Sequence, residues 1–150
     1  TTGLLKEART FPRDSEGRIL ARHAVNEALM EEMVRDQRVC IWGEDVGEAG
    51  GAYMATFGLL EVFGRRRIFN APISESAIVG AGIGAAMAGL RPVVELMYID
   101  FVLQAMDQVG NQAAKARYMF GGQYVVPLVI RATIGGGKGY AGQHSHWPRV

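Results

Sequence analysis

Apolar runs alternating with helical segments predict an α/β fold for this chain: a parallel sheet with helices on both faces. Two observations carry the prediction. Short apolar runs at 38–42, 93–97 and 126–132 are bounded by glycine, proline or polar residues, as buried strands are. The stretches between them repeat their apolar residues every three to four positions, as amphipathic helices do. Composition agrees. The 150 residues are about one domain, and 49% hydrophobic against 21% charged residues suits a globular core. A net charge of +1 offers no field for nucleic acid or an anionic membrane surface. No apolar run approaches the roughly 18 residues of a membrane span. Cys40, the single cysteine, lacks a partner for an internal disulfide. It reads as a small hydrophobe in a strand, in a reducing compartment.

Each element has its own signal. "TTGLLKEARTFPRDSEGR" has no signal-peptide core, and 1–19 read as a loosely ordered arm ahead of a domain over 20–150. "ARHAVNEALMEEMVRD" reads as a helix with Val25, Leu29 and Met33 on one face and His23 as a surface or capping residue. "RVCIW" (38–42) is a buried strand, and "GEDVGEAGG" is the polar loop leaving its carboxyl end. "LLEVFG" (59–64) is a short helix and "RIFN" (67–70) a second strand. Ser74 is a good N-cap for a helix over 75–89, built almost entirely of Ala, Gly, Ile, Val and Met. Pro92 starts the strand "VVELM" (93–97). Asp100 caps a longer helix, 101–119, with Val102, Ala105, Met106, Val109, Ala113 and Ala116 as its apolar face. Gly121 and Gly122 end it. "VPLVIRA" (126–132) is the next strand, and the glycine cluster after it runs close to Val150 with no closing signal, which points to a longer protein.

Ligands of such sheets bind beyond the carboxyl ends of the strands. "GED", "SE", "YIDF" and the 133–146 loop all fall there. Gly80, Gly82 and Ala85 fit G-x-G-x-x-A, yet they do not make a dinucleotide site. That fingerprint needs an apolar strand immediately before it and glycines in the entry turn. Here "APISESAIV" precedes, and the glycines lie inside the helix. They suit close approach to a neighbouring element. Association through 75–89 and 101–119 is expected, and leucine at Gly84 is expected to break the packing.

Glu75 stands at the mouth of that apolar helix. The helix dipole favours a first-turn carboxylate, so local sequence alone fits a stabilising acid as well as a functional one. The wider pattern adds weight to function. "GEDVG", "F/Y-G-x-x-R-I-F-N-A-P-I-S-E", "GAAMAGLRPVVELMYIDF", "DQ-x-x-NQAAKARYMFGG" and "QHS" follow one another over roughly residues 20–146. Together they resemble the beta subunit of the thiamine-diphosphate-dependent decarboxylase component of 2-oxo acid dehydrogenase complexes, nearest to the pyruvate and acetoin types.

The resemblance implies the transketolase-like pyrimidine-binding domain. It implies decarboxylation of a 2-oxo acid, or cleavage of acetoin, with acyl transfer to lipoamide. Glu75 matches the acid that pairs with the aminopyrimidine ring nitrogen of thiamine diphosphate. By exchanging a proton there it favours the imino tautomer, which activates the thiazolium carbon. Phe101 matches the aromatic that stacks on the pyrimidine, Gln104 lies one turn on, and Ile73 matches a backbone carbonyl that accepts from the amino group. His144 matches the histidine beside the reacting carbon. His146 stands where the family has glutamine, which leaves its role open. Leu128 matches a position whose carbonyl binds a structural potassium ion. The family's diphosphate-and-magnesium motif, G-D-G followed by N, sits on the alpha subunit, so magnesium and diphosphate are expected on a partner chain. The implied partners are that alpha subunit, a second beta subunit in a heterotetramer, and the lipoyl acyltransferase core. Nucleic acid and membrane are not among them, and the implied location is the bacterial cytoplasm or an organelle matrix. The rivals are a transketolase or deoxyxylulose-phosphate synthase segment, which "NQAAKARYMFGG" speaks against, and a non-catalytic dimerising domain.

Overall fold

Four short strands form one parallel sheet in the computed structural model, which describes residues 10–135 and 139–145. The strands are β1 (Val39–Gly43), β2 (Ile68–Asn70), β3 (Arg91–Tyr98) and β4 (Val129–Thr133). Their order is β2-β1-β3-β4. Parallel neighbours need crossovers. Helices α1 (Ala21–Arg35), α2 (Leu59–Phe63) and α3 (Glu75–Met87) lie before or between them in sequence. Alternate side chains of a strand face opposite ways, and both faces are covered. Val39, Ile41 and Val93 pack with Leu29, Met30 and Met33 of α1 and Leu59 of α2. Cys40, Trp42, Val94 and Leu96 pack with Ile78, Val79 and Ile83 of α3. Cys40 is thus a core residue, and burial pushes its thiol pKa up.

Small residues let α3 sit close to its neighbours. A Cβ on Gly82 would lie 2.8 Å from Leu128 Cδ1 and 3.0 Å from Val94 Cγ1; one on Gly80 would lie 3.2 Å from Gln108 Oε1. Both glycines are inside the helix, as expected. Gly84 differs. A Cβ there meets nothing within 4 Å among the described residues, so leucine at Gly84 has no internal packing to break, contrary to expectation.

Several boundaries move for physical reasons. β3 starts at Arg91, and Pro92 is its second residue, opposite Cys40. β4 starts at Val129, because Pro127 has no N–H for a ladder. Ser74 occupies the N-cap of α3 without making a side-chain cap bond. A residue two positions on does the docking: Ser76 Oγ donates to the Gln104 carbonyl. The expected helix 101–119 is not one α-helix. It is a 3-10 turn over Ile99–Ala105, a π segment over Gln108–Ala113 and α4 (Ala116–Met119). Asp100 lies inside the first turn, with Tyr98 at the N-cap. A 3-10 helix advances about 120° per residue rather than about 100°. The expected apolar face is nonetheless largely kept: Val102, Val109 and Ala113 pack on the core and Ala105 and Ala116 are buried, while Met106 turns outward. Around Gly110 the chain unwinds, and Ala114 N–H donates to the Val109 carbonyl at 3.1 Å. Gly121 and Gly122 end the segment in left-handed conformations, as predicted.

The arm is not loose where it is described. Phe11 N–H donates to Glu27 Oε1 at 2.6 Å, and Arg13 pairs with Glu27 at 2.6 Å. His23 neither caps nor projects freely; its ring stacks on Phe11 with centroids 4.1 Å apart. No helix of the described residues is long and apolar enough to cross a membrane.

Candidate active site

Backbone strain concentrates at the carboxyl ends of the strands. Among the described residues four non-glycine residues have left-handed φ: Asp45, Tyr53, Met54 and Ala141. The first three follow β1 and the fourth follows β4. Such conformations cost about 1–3 kcal/mol each and cluster where function needs them.

Beneath this strained end lies a buried carboxylate. Register places Gly43 of β1, Glu95 of β3 and Arg131 of β4 side by side. Glu95 is 1% exposed, pairs with Arg131 and accepts the Ala52 N–H at 3.1 Å. Burial raises its pKa, and Arg131 opposes that rise. At Gly43 and Gly51 a Cβ would collide with Glu95. Glu95 thus ties the 47–56 loop down onto the sheet.

Glu75 opens α3 and is 4% exposed. The acid at the mouth of the apolar helix is therefore buried. A second acid, from the "GED" stretch but given no role of its own in the sequence reading, stands beside it. Glu44, the first residue after β1, is 8% exposed, and its Oε1 is buried with no hydrogen-bond partner among the described residues. Burial raises the Glu44 pKa most, followed by the charges of Glu75 and Asp45 and a hydrogen bond with Glu75. The two acids thus present, at the start of α3, a buried acceptor without a donor among the described residues.

The other expected residues divide. Phe101 and His144 come together, ring centroids 5.2 Å apart and nearly perpendicular at 84°. The Ser76–Gln104 bond ties the first turn of α3 to the segment carrying Phe101. The Gln104 side chain itself is exposed, and that of Ile73 is 81% exposed. Leu128 packs against Gly82 just before β4, at the amino end of the sheet, so the structure does not bring it to the acids. His146 lies outside the described residues. Tyr98, the first residue of "YIDF", also joins the site, although the sequence reading assigns it no individual role. Its ring meets His144 at 5.0 Å and Tyr53 at 6.3 Å. Burial, then hydrogen bonding to Tyr53, pushes its hydroxyl pKa up to about 12. Among the described residues no three His, Cys, Asp or Glu side chains gather as a metal site.

Comparison with known proteins sharpens the picture. The family model for the pyrimidine-binding domain of transketolase matches residues 18–148. A pyruvate dehydrogenase E1 component subunit beta from Rickettsia bellii is 49% identical over 127 residues, 85% of this chain and 39% of the relative. A 2-oxoisovalerate dehydrogenase subunit beta from Bacillus subtilis is 49% identical over 122 residues, 81% of this chain and 37% of the relative. The human mitochondrial pyruvate dehydrogenase E1 component subunit beta is 44% identical over 144 residues, 96% of this chain and 40% of the relative. The chain spans about two fifths of the length of these relatives.

Proposed function

Since this chain belongs to the transketolase pyrimidine-binding domain family, we propose that it supplies the pyrimidine half of a thiamine diphosphate site in the beta subunit of a 2-oxo acid dehydrogenase component. One observation carries the reading: Glu75 is buried at the start of α3 with the unsatisfied carboxyl of Glu44 beside it. An orphaned buried acceptor is costly unless an outside donor completes it. The ring nitrogen and amino group of an aminopyrimidine are a fitting complement.

When bound, the cofactor supplies the nucleophilic carbon and the electron sink that decarboxylation of a 2-oxo acid needs. Glu75 holds and returns a proton at the pyrimidine ring nitrogen. Glu44, with one buried oxygen lacking a partner among the described residues, accepts from the aminopyrimidine beside Glu75. Phe101 offers a flat face to the pyrimidine. His144 moves a proton or stabilises charge at the 2-oxo group. The Ile73 carbonyl accepts from the amino group, and Gln104 flanks it. Magnesium and the diphosphate fall to an alpha subunit, with a second beta subunit and a lipoyl acyltransferase core as further partners. The Leu128 carbonyl contributes to a potassium site. Relatives named for pyruvate and for 2-oxoisovalerate are equally similar, so the substrate is proposed only as a 2-oxo acid.

Hydrogen–deuterium exchange at the thiazolium carbon tests the reading, in the assembly with the alpha subunit. Glu75→Gln is expected to slow exchange by about 100-fold or more while the circular dichroism of the chain is unchanged. Exchange at the wild-type rate would remove Glu75 from the mechanism.

A further inference from the structure

We propose that Tyr98 and Tyr53 are positioning residues that seat the His144 imidazole against Phe101. The inference rests on the reading of His144 given above. Tyr98, the last residue of β3, is the centre of a ring cluster. It meets Tyr53 at 6.3 Å and 68°, Tyr140 at 6.1 Å and 73°, and His144 at 5.0 Å and 84°. Phe101 takes His144 at 5.2 Å and 84°. The imidazole is thus held by two nearly perpendicular ring contacts, the geometry in which a positive ring edge meets a negative ring face. Among the described residues no side-chain hydrogen bond holds the His144 ring, so these contacts set its orientation. A histidine fixed for proton transfer usually has a carbonyl or carboxylate on its other nitrogen; here rings take that place.

The cluster is not core filling. Tyr53 and Tyr140 are exposed, and Tyr98 and His144 are half-buried. Its backbone is specialised as well. Tyr53 and Met54 hold φ of 60° and 59°, and Ala141, three residues before His144, holds 62°. A loop needing only to turn has glycine for such angles, as this one does at Gly50, Gly51 and Gly58. Placing tyrosine at 53 in that conformation directs its ring onto Tyr98. The strained turn is fastened next door, where Ala52 N–H donates to Glu95 Oε1 at 3.1 Å and Gly51 N–H to the Asp45 carbonyl at 2.8 Å. Buried carboxylate, strained turn, Tyr53, Tyr98 and His144 form one continuous chain of contacts.

The test uses the full chain with 13C-labelled histidine rings. In Tyr98→Leu the His144 ring resonances move toward those of unstructured histidine. Tyr98→Phe keeps the ring and holds them near wild type. The resonances of His23, stacked on Phe11, stay fixed in both. Tyr53→Leu alters an exposed side chain that the sheet does not need, and it moves the His144 resonances in the same direction by less. In the enzyme assembled with its alpha subunit, Tyr98→Leu lowers kcat roughly tenfold or more at unchanged KM, and Tyr98→Phe restores most of it. His144 resonances that stay in place in both leucine variants overturn the proposal. So does a shift with no change in kcat. Loss of the thiamine reading would appear separately, as Glu75-independent exchange at the thiazolium carbon, and the resonance measurement decides the seat in either case.

Discussion

Glu95 and Glu44 are near neighbours at the carboxyl end of the sheet: Glu95 pairs in register with Gly43, and Glu44 is the next residue along. Burial raises the pKa of both. Their surroundings then diverge. Glu95 has Arg131 and the Ala52 N–H. Glu44 has one oxygen without a partner among the described residues and a second carboxyl, Glu75, beside it. An acid whose acceptors are filled from within the chain serves the fold. An acid left short of donors next to another acid costs stability, and it persists where something outside the chain completes it.

The largest expected effect falls on the satisfied acid. Arg131→Met leaves the Glu95 charge buried without a cation, which typically costs about 3–5 kcal/mol. Urea unfolding measures the loss. Adding Glu95→Gln removes the stranded charge, and the double variant recovers most of the stability. If Arg131→Met costs no more than a surface substitution, Glu95 is not the fastening of the 47–56 loop.

The unsatisfied acid responds in the opposite sense. The Glu44 pKa is raised in the folded chain. Between the ordinary carboxylate range and that raised value the native state therefore binds more protons than the unfolded state. Stability from this group is complete below the ordinary carboxylate pKa and is lost as pH rises through the folded one. Glu44→Gln keeps the shape and has nothing to ionise. Its thermal midpoint is expected to exceed wild type at neutral pH, with the difference vanishing toward the usual carboxylate pKa of roughly 4.3. A variant less stable than wild type at neutral pH would mean that Glu44 is satisfied and that its contrast with Glu95 is false.

Those two acids also mark how far sequence carries. Strands near 39–43, 68–70, 91–98 and 129–133 are legible because apolar runs end at glycine, proline or charge. The segment after Asp100 is not, because its apolar spacing suits an α-helix while its backbone winds tighter before Ala105 and looser around Gly110. Glu75, Phe101 and His144 are candidates through the family pattern, and the buried position of Glu75 fits an acid placed at an apolar helix mouth. Glu44 is hidden in what reads as a polar loop, since its burial depends on where Glu75 of α3 comes to rest. Tyr53 is hidden as well, and Tyr98 is legible only as part of "YIDF" at the ligand end of the sheet. Nothing in a tyrosine's identity announces a left-handed φ, and a ring at the end of a strand looks like core.

The smallest expected effect carries the comparison from charge to shape. In α3, Gly82 is hemmed in by Leu128 and Val94, as Glu95 is by Arg131; Gly84 meets nothing within 4 Å among the described residues, as Glu44 Oε1 has no partner among them. Ala77 and Ala81 are exposed on the same helix, and Ala88 at its C-cap is exposed too. Gly84→Leu therefore has room, and leucine favours a helix over glycine by up to about 1 kcal/mol. The isolated chain should keep its stability or gain slightly. Partner chains that pack on this side of α3 would find the leucine in their way. Sedimentation of the variant with the proposed alpha subunit is expected to give a smaller assembly than wild type at equal concentration. An intact assembly would place the interface elsewhere, and a destabilised isolated chain would mean that Gly84 is packed within the chain as closely as Gly82.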